Sequence, residues 1–218
     1  MSNAMDYAKF FIKRGLDTNP NTYDGNMKLQ KLLFFANYIS IAERGVPLFA
    51  EPIRAFSNGC VVEDVRLRYK NDYDGLRSDS ESFEPNFSQD EYDVLNLAAG
   101  IFGNLSAREL SALNQSFSFW KTAFKRSQQG NGFRNKNHAV VSTDEMSAEI
   151  DKIKSVIDRY KANRAERSFR EMINGVKFYY SPDFEMTDEI IAQLEEFAND
   201  ADEDSYSVYI ENGNLTIF

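Results

Sequence analysis

The sequence has one cysteine, one histidine and one tryptophan among 218 residues. A single cysteine, Cys60, excludes an intrachain disulfide framework and fits a reducing cytoplasm. One His and one Cys cannot build a His/Cys metal cluster. No Gly-rich phosphate loop occurs. No apolar run approaches the roughly 18 residues of a membrane-spanning helix. The stretch after Met5 carries Asp6, Lys9, Lys13 and Arg14 and has no apolar h-region, so no signal peptide is expected. Residues 181–218 have no Lys or Arg at all, yet hold eleven carboxylates. The whole chain is at −9, whereas its first 180 residues carry 25 basic and 23 acidic side chains, close to +2. An acidic C-terminal module repels phosphate backbones and disfavours nucleic acid as its partner.

What is present points to a folded chain. Eighteen Phe, eleven Tyr and 42% apolar residues suit a buried core and exclude a solvating, disordered polymer. Ser2-Asn3-Ala4 behind Met1 reads as the remnant of a cleaved tag, with the native start at Met5. Three helix starts are legible as capping boxes: Ser88 with Glu91, Ser106 with Glu109, and Ser142 with Glu145. Each is flanked by apolar residues placed for a hydrophobic staple: Phe87 and Tyr92, Leu105 and Leu110, Val141 and Met146. Met27–Glu43 reads as a central helix, apolar over most of its circumference, ended by Gly45 and Pro47. Ile53–Phe56 reads as extended, Val61–Lys70 as a helix, and Lys70–Pro85 as a polar loop. From Ser142, a seam of Met146, Ile150, Ile153, Ile157 and Tyr160 predicts a helix that bends or breaks near Lys161–Ala165, where the seam stops. Phe169, Met172, Ile173 and Val176 then begin another face.

The C-terminal stretch changes character. Val176, Phe178 and Tyr180 alternate as a strand, and Thr187 caps an amphipathic helix carrying Ile190, Ile191, Leu194 and Phe197. Alternating runs flank Asn212-Gly213, a hairpin signal that pairs Ile210 with Leu215 and Val208 with Ile217. The expected architecture is mainly α: a multi-helix domain over residues 5–174, with a small acidic β-α-β-β appendage over 175–218.

Catalytic constellations are sparse. His138 lies in a polar loop with no nearby carboxylate to orient its ring. Cys60 is either a thiol activated at a helix start or, the favoured reading, a buried small hydrophobe. Asp200, Asp202, Asp204 and Glu211 occupy positions 1, 3, 5 and 12 of a calcium-loop pattern, but Ser205 stands where the sharp turn wants Gly. A solvated acidic turn is the favoured reading, with no metal and no cofactor. Arg159, Lys161, Arg164, Arg167 and Arg170 form a basic run, read as a solvated face or as a dock for an acidic surface.

Lys28-Leu29-Gln30-Lys31-Leu32-Leu33-Phe34-Phe35-Ala36 resembles the K-L-Q-K-L-L-Y-F-A signature of the Panacea domain, the SocA-like antitoxin family often described as phage-associated. Gly45, Pro47, Leu48 and Phe49 match its G-x-P-L-F, and Ile53, Ala55 and Phe56 its I-x-A-W segment. Gly59, Val61 and Val62 match G-P-V-V, with Cys60 in place of Pro. Leu105 through Trp120 resembles a helix ending in H-x-x-x-P-W, with Gln115 and Phe119 at the His and Pro positions. Lys28, Gln30 and Lys31 are expected as solvated positions of the central helix, or as a contact edge for a partner.

The resemblance implies a cytoplasmic, non-enzymatic antitoxin that neutralises a co-encoded toxin by direct binding. The alternative is a proteolytic adaptor or a phage-associated regulator without a toxin. The implied partners are the toxin protein and, in one branch, a bacterial protease; a homodimer stays open, and no membrane is expected. On the appendage, Tyr179 and Tyr209 face away from the apolar side and are the candidate anchors.

Overall fold

The computed structural model describes residues 2–128, 134–166, 169–181, 184–211 and 214–218. Contacts divide the chain into two units, Met1–Ile157 and Asp158–Phe218. The boundary lies ahead of the expected 174/175 division, and residues 169–173 belong to the second unit, where they pair with the strand that follows them.

The first unit is built around one buried helix. Helix α1 (Ala4–Lys13) starts from a capping box between Asn3 and Asp6. Helix α2 (Tyr23–Arg44) starts at Thr22, whose side chain accepts the Gly25 N–H, and ends at Gly45 with φ of 72°. Every residue of α2 from Lys28 to Ile41 is buried. Neighbours pack all around it, so it needs no polar face. Strands β1 (Ile53–Phe56) and β2 (Gly59–Val62) form an antiparallel hairpin pairing Phe56 with Gly59. Helix α3 (Glu63–Asn71) follows. The expected helix start at Val61 is thus corrected: Val61 and Val62 are β-branched, extended and paired with Arg54 and Ile53.

The expected loop at 70–85 is also corrected. Helix α4 (Tyr73–Glu81) forms there, with the Asp72 carboxylate accepting the Gly75 N–H at 3.2 Å. Only Tyr73, Leu76 and Ser80 are buried, spaced by three and four residues, so a polar segment holds one inward stripe. Helices α5 (Gln89–Phe102), α6 (Ala107–Ser116) and α8 (Thr143–Ser147) start from the three expected capping boxes, all formed. Helix α7 is Ser118–Ser127 and α9 is Ile150–Glu166.

Helix α9 ends at Glu166, beside the break expected near 161–165, and a further, unexpected break falls at 148–149, between α8 and α9. Glu149 explains its place. Its carboxylate accepts the Ser118 and Phe119 N–H groups at 2.6 and 3.1 Å, capping α7, while its carbonyl and that of Met146 accept the Tyr38 hydroxyl. The seam residues Met146, Ile153 and Ile157 are buried as expected.

The second unit contains β3 (Phe169–Ile173), β4 (Val176–Tyr180), α10 (Asp188–Asn199), β5 (Ser205–Glu211) and β6 (Asn214–Ile217). The sheet order is β3-β4-β5-β6, with β4 and β5 parallel and the outer pairs antiparallel. The expected β-α-β-β is therefore β-β-α-β-β. Residues 169–173 form a strand because Asn174 and Gly175, at φ of 49° and 88°, turn the chain back in a tight hairpin. The β5–β6 register pairs Ile210 with Leu215 and Val208 with Ile217, as expected. The Asn212-Gly213 turn itself lies outside the described residues. Leu194 and Ala198 of α10 pack on Phe178, Tyr206 and Val208.

Candidate partner-binding site

The polar residues of the signature are neither solvated nor exposed as a contact edge. Lys28, Gln30 and Lys31 are all buried. Each is engaged by the backbone of another element. The Lys28 ammonium donates to the Thr18 hydroxyl at 2.6 Å and the Gly103 carbonyl at 2.7 Å. The Gln30 amide oxygen accepts the Val62 N–H at 2.8 Å. The Lys31 ammonium donates to the Cys60 carbonyl at 2.9 Å. Two consecutive side chains thus tie α2 to β2, and Lys28 ties it to the end of α5. These bonds satisfy backbone groups that would otherwise be buried without partners.

The remaining signature residues complete the same scaffold. Leu29 and Leu32 are fully buried, and the Phe35 ring stacks on Phe102 with centroids 4.1 Å apart. Gly59, at φ of 100°, admits the Lys31 stem. A Cβ there would meet the Asn114 amide oxygen at 2.5 Å and Lys31 Cε at 2.6 Å. The same Asn114 oxygen accepts the Cys60 N–H at 2.6 Å. Trp120 donates its indole N–H to the Phe56 carbonyl at 3.0 Å and stacks on Phe124. Gln115, at the family's His position, donates to the Ser57 carbonyl at 2.7 Å. Phe119, at its Pro position, is buried and stacked on Phe117. Gln115 and Trp120 therefore both hold the β1 end of the β1–β2 turn.

Burial sets the electrostatics of this knot. It pulls the Lys31 pKa down to about 8, an effect only partly opposed by Cys60. It pushes the Cys60 thiol up to about 12. Cys60 is fully buried in mid-strand, so the favoured sequence reading, a small buried hydrophobe, is the one the structure places.

Beside the knot lies a cavity of about 410 Å³. Its walls include Tyr23 and Met27 from the first turns of α2, Gln30 and Lys31 from its next turn, and Phe56 and Gly59 from the hairpin. Tyr23 stands at the rim, 69% exposed, with the Asn58 amide donating to its hydroxyl. Periodicity could not reveal this cavity, since its walls come from residues some 30 positions apart.

The other expected site residues lie elsewhere. Tyr179 and Tyr209 share the sheet face opposite α10, on neighbouring strands but not directly opposite one another. Tyr209 is 41% exposed and meets Phe218 edge-on at 5.4 Å, whereas Tyr179 is half-buried. Asp202 accepts the Tyr206 hydroxyl, which in turn accepts the Asp202 and Glu203 N–H groups. Asp200 ends α10, and the Asp204 carbonyl accepts the Lys177 N–H. The acidic turn is thereby folded onto its own tyrosine; the side chain of Glu211 lies outside the described residues. Among the described residues, no group of three or more His, Cys, Asp or Glu is placed to hold a metal ion. His138 is exposed in a short 3-10 turn. Of the basic run, Arg159 and Arg170 are exposed, while the side chains of Arg164 and Arg167 lie outside the described residues. Among the described residues no helix is long and apolar enough to cross a membrane.

Residues 29–121 match the family model for the antitoxin SocA-like, Panacea domain. No curated protein and no solved structure matches the chain. The matched stretch runs from the second turn of α2 to the start of α7, and so contains the Gln30 and Lys31 ties, Gly59, Asn114 and Trp120. The stretch of the helical unit over residues 29–121 is thus similar to the antitoxin SocA-like, Panacea domain.

Proposed function

We propose that the chain is the antitoxin of a toxin–antitoxin pair and neutralises a co-encoded toxin by binding it directly in the cytoplasm. The observation that carries this reading is the similarity to the Panacea domain at residues 29–121. Its signature side chains are spent on internal ties, as suits a rigid module that presents a preformed surface. The reading gives catalysis no part: neither Cys60 nor His138 is assigned a chemical role. Part of the specificity for one toxin is assigned to the tyrosine face of the second unit. Aromatic side chains are favoured as interface anchors, which supports Tyr209 and Tyr179 as candidates.

Co-expression with the adjacent open reading frame tests the reading. The neighbour alone should arrest growth, and the chain should restore it. A toxic neighbour that the chain does not silence would refute it. Co-purification with a protease component beside a harmless neighbour would instead support the adaptor role. Replacing Tyr179 and Tyr209 by Ala should weaken rescue; full rescue would remove the second unit from the interface.

A further inference from the structure

The cavity beside the Lys31 knot has a one-sided charge. Its charged wall residues are Lys31, Arg66 and Lys70, and among the described residues no Asp or Glu lines it. This occurs in a chain whose net charge is −9. A second cavity, of about 480 Å³ near Lys28, offers a contrast: Asp24 and Glu109 stand beside Lys28 and Arg108 in its walls. The bias of the first cavity is therefore local.

The three cations differ in state. Arg66 is held by Glu63 through two hydrogen bonds of 3.0 and 3.1 Å, outside the cavity wall. Lys70 is exposed at the rim. Lys31 is the unusual one. It is 1% exposed and has three N–H donors, of which one meets the Cys60 carbonyl. A buried ammonium facing a carbonyl rather than a carboxylate is poorly compensated. The rest of the wall combines apolar side chains, Tyr23, Met27, Phe56 and Val61, with uncharged polar ones such as Asn26 and Asn58. Its volume lies within the roughly 300–1,000 Å³ of small-ligand sites.

We propose that this cavity is a socket for a carboxylate-bearing, partly apolar segment of a protein partner. An acidic side chain would enter between Lys31 and Lys70 while an adjacent apolar side chain covers Met27 and Phe56. The carboxylate would supply the counter-charge that Lys31 lacks, in a site screened from water, where such a pair is strongest. Naming the toxin as that partner rests on the antitoxin reading; the socket itself does not.

The test is an amide NMR titration of the full chain with N-acetyl-phenylalanyl-glutamic acid amide. Its glutamine counterpart, inorganic phosphate and AMP are run in parallel. The glutamate dipeptide should saturably shift the amides of Met27, Asn58 and Gly59. The glutamine dipeptide should bind about tenfold more weakly, as should the Lys31→Met variant for the glutamate probe. Lys70→Glu, at the exposed rim, should also weaken binding and keeps the test decisive if Lys31→Met fails to fold. Equal shifts from both dipeptides, or none at these amides, would overturn the proposal. Stronger shifts from phosphate or AMP would also overturn it, in favour of a phosphate site. Growth rescue separates the two readings. Dipeptide binding without rescue removes the antitoxin reading and keeps the socket, whereas rescue without dipeptide binding does the reverse.

Discussion

Lys31→Met should change how stability depends on pH, in a direction fixed by the burial of the ammonium. In the unfolded chain Lys31 titrates near 10.5, and in the folded chain near 8. Between these values the unfolded chain holds a proton that the folded chain has released. The wild-type protein therefore gains stability as pH rises through this window. Two and a half units at about 1.4 kcal/mol each correspond to ~3 kcal/mol. Methionine has similar length and no charge, so it removes the pH term. It also deprives the Cys60 carbonyl of its donor, at a cost of about 1–3 kcal/mol. Near pH 7 the two effects oppose one another, and the variant should be close to wild type. By pH 10.5 wild type should have gained ~3 kcal/mol relative to the variant. Urea unfolding of both proteins across this range measures the difference, in which all other titrating groups cancel. A difference that stays flat with pH would refute the buried, poorly compensated state assigned to Lys31.

Further outcomes follow from the same geometry. Gly59→Ala should destabilise the helical unit by at least about 2 kcal/mol in urea unfolding, because positive φ and the collision with Asn114 and Lys31 act together. Cys60 should resist a thiol reagent at pH 8 until the unit unfolds, since the thiol is fully buried with its pKa pushed up to about 12; rapid labelling of native protein would contradict this. Glu149→Ala should cost about 1 kcal/mol through loss of the α7 cap. Gly175→Ala should destabilise the second unit by about 1 kcal/mol, seen as faster amide exchange in β3 and β4.

The elements legible in the sequence were those whose signals are local. Capping boxes occupy four consecutive residues, and all three expected ones form. The β5–β6 register was readable because alternation on both sides of Asn212-Gly213 allows one pairing. Asn174-Gly175 carries the same signal, but Phe169 to Val176 also fits helical spacing, and the period of the preceding seam was carried too far. Helix α4 stayed hidden because tertiary packing, not its own composition, supports it. The break at 148–149 was hidden because it depends on what Glu149 caps, some 30 residues earlier.

The candidate site divides in the same way. The signature residues were legible as a set, and Trp120 and Gly59 belong with them. Their burial was not legible, because Lys and Gln at the start of a helix read as solvated. The carbonyls and N–H groups that hold Lys28, Gln30 and Lys31 come from Gly103, Cys60 and Val62, more than 25 positions away. The bias in charge around the cavity was also invisible along the chain. Arg66 and Lys70 sit on α3 among acidic neighbours, and they join Lys31 only in three dimensions.

The central claim, direct neutralisation by binding, is tested most simply by titration calorimetry. The purified product of the adjacent reading frame is added to the purified full chain. The account predicts saturable heat at a fixed stoichiometry, weakened when Lys31 and Lys70 are replaced. A neighbour that the chain silences in cells, yet that gives no heat and no complex with it in solution, would contradict the account.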